Sequence, residues 1–298
     1  SPFAITMIMP NGAAGMVAID YGIHGPSTTI TTACAAGCDA IGHAFSTVAI
    51  GGFSTHDASM GYFQHQPLIE VIAIVFMFFS GINFALHFLA WRSKDIQTYM
   101  RDSEFRTYLT ILALISLITV FYLHINATFD NFGRTLLHGV FQVVSIGTTT
   151  GFTTSNYAIW PGFLPVLLLF ASFIGASAGS TGGGMKVVRF LLLLKQGMRE
   201  ITRLIHPNAV IPIKMGGKPL PENVINSVWG FFATYVAIFS IILLLLMVAG
   251  LDQVTAFSAV AATMNNLGPG LGDVALNYAG LSDFAKWVLC FGMMLGRL

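Results

Sequence analysis

The chain has 298 residues, of which 55% are hydrophobic and 9% charged, and its formal net charge is +1. Soluble domains carry about 25% charged residues, so this composition excludes a soluble globular protein, and the charge balance offers no basic surface for nucleic acid. Apolar runs of about 20 residues read as membrane spans, which makes the chain an all-α polytopic membrane protein.

In chain order, Phe3–Ile19 is apolar but interrupted by Pro10-Asn11-Gly12 and by Gly15. Residues 1–38 therefore read as an irregular segment, either a broken helix or the remnant of a preceding span. Asp39–Thr47 predicts a helix too short to span. The tract Val48-Ala49-Ile50-Gly51-Gly52-Phe53 follows it, then a polar turn (Ser54, Thr55, His56, Asp57) and a span over Leu68–Trp91. Tyr108–Ala127 predicts the next span and Leu136–Ile146 another half-length helix, ended by Gly147-Thr148-Thr149-Thr150-Gly151-Phe152. Trp160 and Pro161 start a return span, Phe163–Ile174, that continues after a break to Leu194. The break, Gly175 to Gly184, holds five glycines in ten residues. Forcing them into a helix would cost about 1 kcal/mol each, which predicts a loop within the membrane. The last section repeats the order: Val228–Ala249, Val254–Thr263, Met264-Asn265-Asn266-Leu267-Gly268-Pro269, and Phe284–Leu298. The chain does not begin with Met and stops inside an apolar helix, as a fragment of a longer protein would.

Span, half-helix, tract and span recur as a unit over residues 39–105, 106–222 and 223–298, the last truncated. Irregular backbone at membrane depth is tolerated where protein or a water-filled path satisfies it, and its carbonyls can replace a cation's hydration shell. The half-helices precede the tracts, so their partially negative C-terminal ends point at the same place. The candidate ion-binding residues are Val48, Ala49, Ile50, Gly51 and Gly52; Gly147, Thr148, Thr149, Thr150 and Gly151; and Met264, Asn265, Asn266, Leu267 and Gly268. The candidate gate is the broken span, with Gly175, Gly179, Gly182, Gly183 and Gly184; close helix packing by small residues is the alternative.

Ionisable residues within the membrane are costly and point to function. Arg297 is expected around mid-membrane depth beside the glycine loop, or else snorkelling at the interface. Glu70 and Asn83 are weaker candidates, and Asp252 and Asp273 bracket the third half-helix. Cys34, Cys38 and Cys290 lack a metal spacing, the eight histidines share no ligand spacing, and no nucleophile elbow is present. Gly179–Lys186 imitates a phosphate-binding loop, but Met and Val replace the required residues around its lysine. No catalytic set emerges, so the chain is not read as an enzyme.

Eleven of the fourteen Lys and Arg residues lie in two connections. Arg92, Lys94, Arg101 and Arg106 form the first. Lys186, Arg189, Lys195, Arg199, Arg203, Lys214 and Lys218 form the second. The positive-inside bias puts both in the cytoplasm and the three tracts on the external half of a cell inner membrane.

The stretches Phe45–Thr55, Gly179–Lys186, Asn265–Gly272 and Gly296-Arg297-Leu298 together resemble the bacterial Trk potassium-uptake membrane subunit family, TrkH, of the Trk/Ktr/HKT superfamily. The resemblance runs from about Asp39 to Leu298. It implies four pore-loop repeats around one potassium path, with Gly52, Gly151 and Gly268 as the filter glycines of repeats two, three and four. It also implies an intramembrane gating loop at Gly175–Gly184 and a pore-facing Arg297. As partners it implies a second copy in a homodimer, a cytosolic nucleotide-binding regulator of the TrkA type, and the surrounding membrane lipids. Uptake of K⁺ through a channel-like pore, without a cofactor, is the expected function, and an ion-coupled transporter (a symporter) of K⁺ or Na⁺ is the alternative.

Overall fold

A computed structural model of the chain describes residues 35–297 apart from 57 and 210. The segment expected to be irregular, residues 1–38, therefore lies outside the described residues up to position 34, as do Asp57 of the polar turn and Leu298. The described chain is helical except for a two-stranded antiparallel hairpin, β1 (Lys214–Met215) and β2 (Lys218–Pro219).

Eleven α-helices follow one another among the described residues. They are α1 (Ala35–Val48), α2 (Pro67–Ser80), α3 (Phe84–Ser93), α4 (Gln97–Arg101), α5 (Ser103–Ile125), α6 (Phe132–Gly147), α7 (Leu164–Ile174), α8 (Val187–Ile205), α9 (Glu222–Val248), α10 (Gln253–Met264) and α11 (Asp283–Arg297). Two of them, α5 and α9, are long and apolar enough to cross a membrane alone. Asp102 accepts the Phe105 N–H to start α5, and Asp252 accepts those of Val254 and Thr255 to start α10; each satisfies orphan donors of a first turn. The bond from Thr255 holds the exposed Asp252 carboxyl below its ordinary value.

The half-length helices α6 and α10 are the most deeply packed. α6 is buried at every residue from Phe141 to Gly147, and α10 from Ser258 to Met264. By contrast α9 leaves most of its span outside the protein core. An apolar helix with its flanks outside is lipid-facing, whereas one buried on all sides lies at the centre of the bundle. The helices that end in the second and third tracts thus occupy the interior, α1 leaves Ile41, Phe45 and Val48 exposed, and α5 and α9 form part of the wall.

The span expected over Leu68–Trp91 is corrected: it is two helices, α2 and α3, bent by 92°. Asn83 causes the restart, because its side chain accepts the Ala85 N–H as an N-cap. The backbone released at the bend is paired across the molecule, with the Ser177 N–H donating to the Gly81 carbonyl and the Phe84 N–H to that of Gly179. Both partners belong to the glycine segment between α7 and α8. Two interrupted helices therefore satisfy each other's backbone, as a water-poor interior requires. The other interruption falls where the sequence places it, with α7 ending at Ile174 and α8 beginning at Val187. α8 then runs eleven residues beyond the expected Leu194, to Ile205.

Candidate functional site: three helix ends and one loop

The first residue of each tract, Val48, Gly147 and Met264, still belongs to the preceding helix. The residues after it make the same closure three times. Ile50, Thr149 and Asn266 are left-handed, with φ of 54°, 63° and 54°. Their N–H groups donate to the carbonyls three residues back, at Thr47, Ile146 and Thr263. The next N–H, of Gly51, Thr150 or Leu267, reaches five residues back, to Ser46, Ser145 or Ala262, at 2.7–2.8 Å. This pair of bonds is a Schellman closure, in which the left-handed position usually holds glycine. Ile50 and Thr149 are β-branched there, a strain of order 1–3 kcal/mol of the kind that clusters at functional sites.

Two residues on, Gly52, Gly151 and Gly268 are left-handed again, with φ of 64°, 85° and 101°. A Cβ on Gly52 would overlap the Thr150 carbonyl oxygen, and one on Gly151 would overlap that of Leu267. Each glycine thus presses on the carbonyl immediately before the glycine of the next tract, a head-to-tail order from tract to tract. Ser46 and Ser145 occupy equivalent places: Ser46 Oγ accepts the Phe53 N–H, and Ser145 Oγ donates to the Phe152 carbonyl.

The side chains of Thr148, Thr149, Thr150 and Asn265 are engaged in this scaffold. The hydroxyls of Thr148 and Thr150 bond each other at 2.8 Å, and Thr148 also donates to the Val144 carbonyl. Asn265 donates to Ser172 Oγ at 2.9 Å and accepts the Tyr235 hydroxyl at 2.7 Å, all three being buried. Asn266 Nδ2 is buried without a hydrogen-bond partner.

The glycine segment 175–184 reaches all three tracts. Thr181 Oγ1 donates to the Val48 carbonyl at 3.2 Å. The Gly183 N–H donates to Thr149 Oγ1 at 2.6 Å, and the Gly184 N–H to the Asn265 carbonyl at 3.2 Å. Any side chain at Gly183 would meet that same Asn265 carbonyl, so only glycine permits the approach. Gly175, Gly179 and Gly184 are left-handed, and no helix continues through them.

Two cations attend the loop. Arg297 Nη1 lies 3.5 Å from the carbonyls of both Thr181 and Gly182, at the outer limit of a hydrogen bond. Lys186 Nζ donates to the same Gly182 carbonyl. The sequence counted Lys186 with the basic connection; the structure folds its ammonium back into the loop. Spacing gave no sign of this, because a lysine that follows a span reads as an interfacial anchor.

Glu70 and Asn83 lie apart from each other. Asn83 caps α3, and the Glu70 carboxylate is buried 3.4 Å from His138 Nδ1. Asp252 is a helix cap. His87 bridges Tyr99 and the Phe79 carbonyl. Among the described residues no cluster of three or more His, Cys, Asp or Glu could hold a metal ion.

The TrkH family profile, described as a cation transport protein, matches residues 12–298. The potassium uptake protein TrkH of Vibrio parahaemolyticus is 54% identical over 87% of this chain and 54% of its own length; that of Escherichia coli K12 is 50% identical over the same shares. TrkG of Escherichia coli K12 is 41% identical over 87% of this chain and 53% of its own. The chain spans about half the length of the curated relatives it matches. The crystal structure of the potassium transporter TrkH from Vibrio parahaemolyticus superposes with a TM-score of 0.83 at 50% identity, covering 97% of this chain and 63% of that one. These are transport proteins rather than enzymes, and the chain is a helical, polytopic membrane protein that belongs to the TrkH family.

Proposed function

We propose that this chain forms three of the repeats around a potassium-uptake pore in a cell inner membrane, over residues 39–105, 106–222 and 223–298. The backbone carbonyls of the tracts at Gly52, Gly151 and Gly268 act as the filter, and the loop 175–184 acts as the gate. The carrying observation is that one loop hydrogen-bonds to all three tracts. Groups from three repeats converge on it only if it lies across their common axis.

The chemistry follows from the geometry. The helix ends direct partial negative charge toward the axis and favour a cation there. Carbonyl oxygens at fixed spacing then stand in for the waters that the ion sheds. The loop is hydrogen-bonded to the tracts, and in this reading the positive charges of Arg297 and Lys186 on its carbonyls oppose the passage of a cation. Opening requires the loop to leave, which replaces its N–H donors at Thr149 and Asn265 with solvent or ion.

The names of the relatives, Trk system potassium uptake proteins, support K⁺ as the cargo and a multi-component assembly. A TrkA-type regulator on the basic connections and a second copy of the subunit complete the proposal. Shortening the loop in the intact protein tests it: ion flux rises if the loop is the gate and is unaltered if it is not.

A further inference from the structure

Glu104 stands in the first turn of α5, among the basic residues Arg92 to Arg106, yet its carboxylate is directed at the loop. One oxygen accepts the Ala178 N–H at 2.6 Å. The Val188 N–H lies close to the same carboxylate. These two donors sit on opposite arms of the loop: Ala178 precedes the residues that touch the tracts, and Val188 follows them in the first turn of α8. The N-terminal N–H groups of a helix have no partner within it. At α8 the N-cap residue is Lys186, whose ammonium has no acceptor for a helix N–H and instead donates to Gly182. A carboxylate carried by α5 therefore stands beside the uncapped first turn of α8, where the helix dipole favours its charge. Bonds of this charge-assisted kind are short and about twice as strong as neutral ones.

We propose that Glu104 is a positioning residue that clamps both arms of the intramembrane loop and so holds it against the three tracts. The clamp also joins the loop to the basic connection, since Asp102, two residues earlier, caps the same helix. Movement of that connection by a cytoplasmic partner would then reach the loop through one rigid turn of α5. The consequence for conduction rests on the reading of the loop as a gate; the clamp itself does not.

The test measures two quantities on the intact protein in liposomes: amide hydrogen exchange along the chain, and rubidium flux. In Glu104→Ala, exchange over residues 175–190 is expected to rise by roughly tenfold or more, and flux to rise with it. Glu104→Gln keeps an acceptor oxygen at the same reach and is expected to restore most of the protection. Unchanged exchange in Glu104→Ala would overturn the clamp. So would loosening spread evenly over all helices, or a Gln variant as loose as the Ala variant. Faster exchange confined to 175–190 with unchanged flux would uphold the clamp and overturn the gate.

Discussion

Replacing Gly151 by alanine should degrade K⁺ over Na⁺ selectivity far more than the same change at Gly147, four residues away in the same tract. At Gly151, φ is +85° and a Cβ would overlap the Leu267 carbonyl oxygen. An L-residue in a left-handed conformation costs about 1–2 kcal/mol. The overlap adds a displacement of the neighbouring carbonyl by roughly 1 Å before ordinary contact returns. That carbonyl belongs to the proposed filter, so the strain is relieved by moving a cation ligand. Gly147 is helical, and a Cβ there meets only the end of the Leu112 side chain. A helical Gly→Ala change gains up to about 1 kcal/mol in propensity, which offsets the repacking of one leucine. Reversal potentials in mixed K⁺ and Na⁺ gradients measure the outcome. A shift of about 1.4 kcal/mol in discrimination is tenfold, so Gly151→Ala is expected to lose at least that much and Gly147→Ala to stay within about twofold. Equal selectivity in the two variants would refute the carbonyl-ring reasoning.

Other expectations follow from the same contacts. Lys186→Met and Arg297→Ala act on one carbonyl, that of Gly182, so each should raise basal flux and the double variant should show less than the sum of the two; strict additivity would separate the two cations. Asn265→Ala strips partners from the buried Tyr235 hydroxyl and Ser172, and should cost about 1–3 kcal/mol of stability in a thermal or denaturant assay, with Tyr235→Phe costing less. For Asp252 the bonded carboxyl titrates below its ordinary value of 3.8, so its capping contribution is complete above that pH and is lost as pH falls through the lowered value. Asp252→Asn should remove this part of the acid sensitivity, and an unchanged acid profile would count against the cap.

The sequence made the helices around the tracts legible because each reports its own burial or lipid exposure through composition. The tracts and the loop were legible because glycine and small polar residues have no other business in an apolar run. The break at Gly81–Asn83 was not legible. One glycine in an apolar stretch is tolerated in a helix, and the partners that stabilise the bend, Ser177 and Gly179, lie almost a hundred residues further along the chain. The roles of Lys186 and Glu104 were hidden for a related reason. Both sit at the edges of basic connections where charge is ordinary, and only the fold brings Gly182, Ala178 and Val188 to them. The Schellman closures were half legible: a tract that ends a helix was readable, but the left-handed Ile50 and Thr149 run against residue preference.

The most direct measurement is rubidium flux through the intact protein after deletion of residues 179–182, the part of the loop that carries Thr181 and Gly182 to the Val48 carbonyl and to the two cations. Flux that rises and no longer depends on a cytosolic regulator is the result predicted. Flux that keeps its original size and its original regulation would contradict the claim that this loop closes the pore.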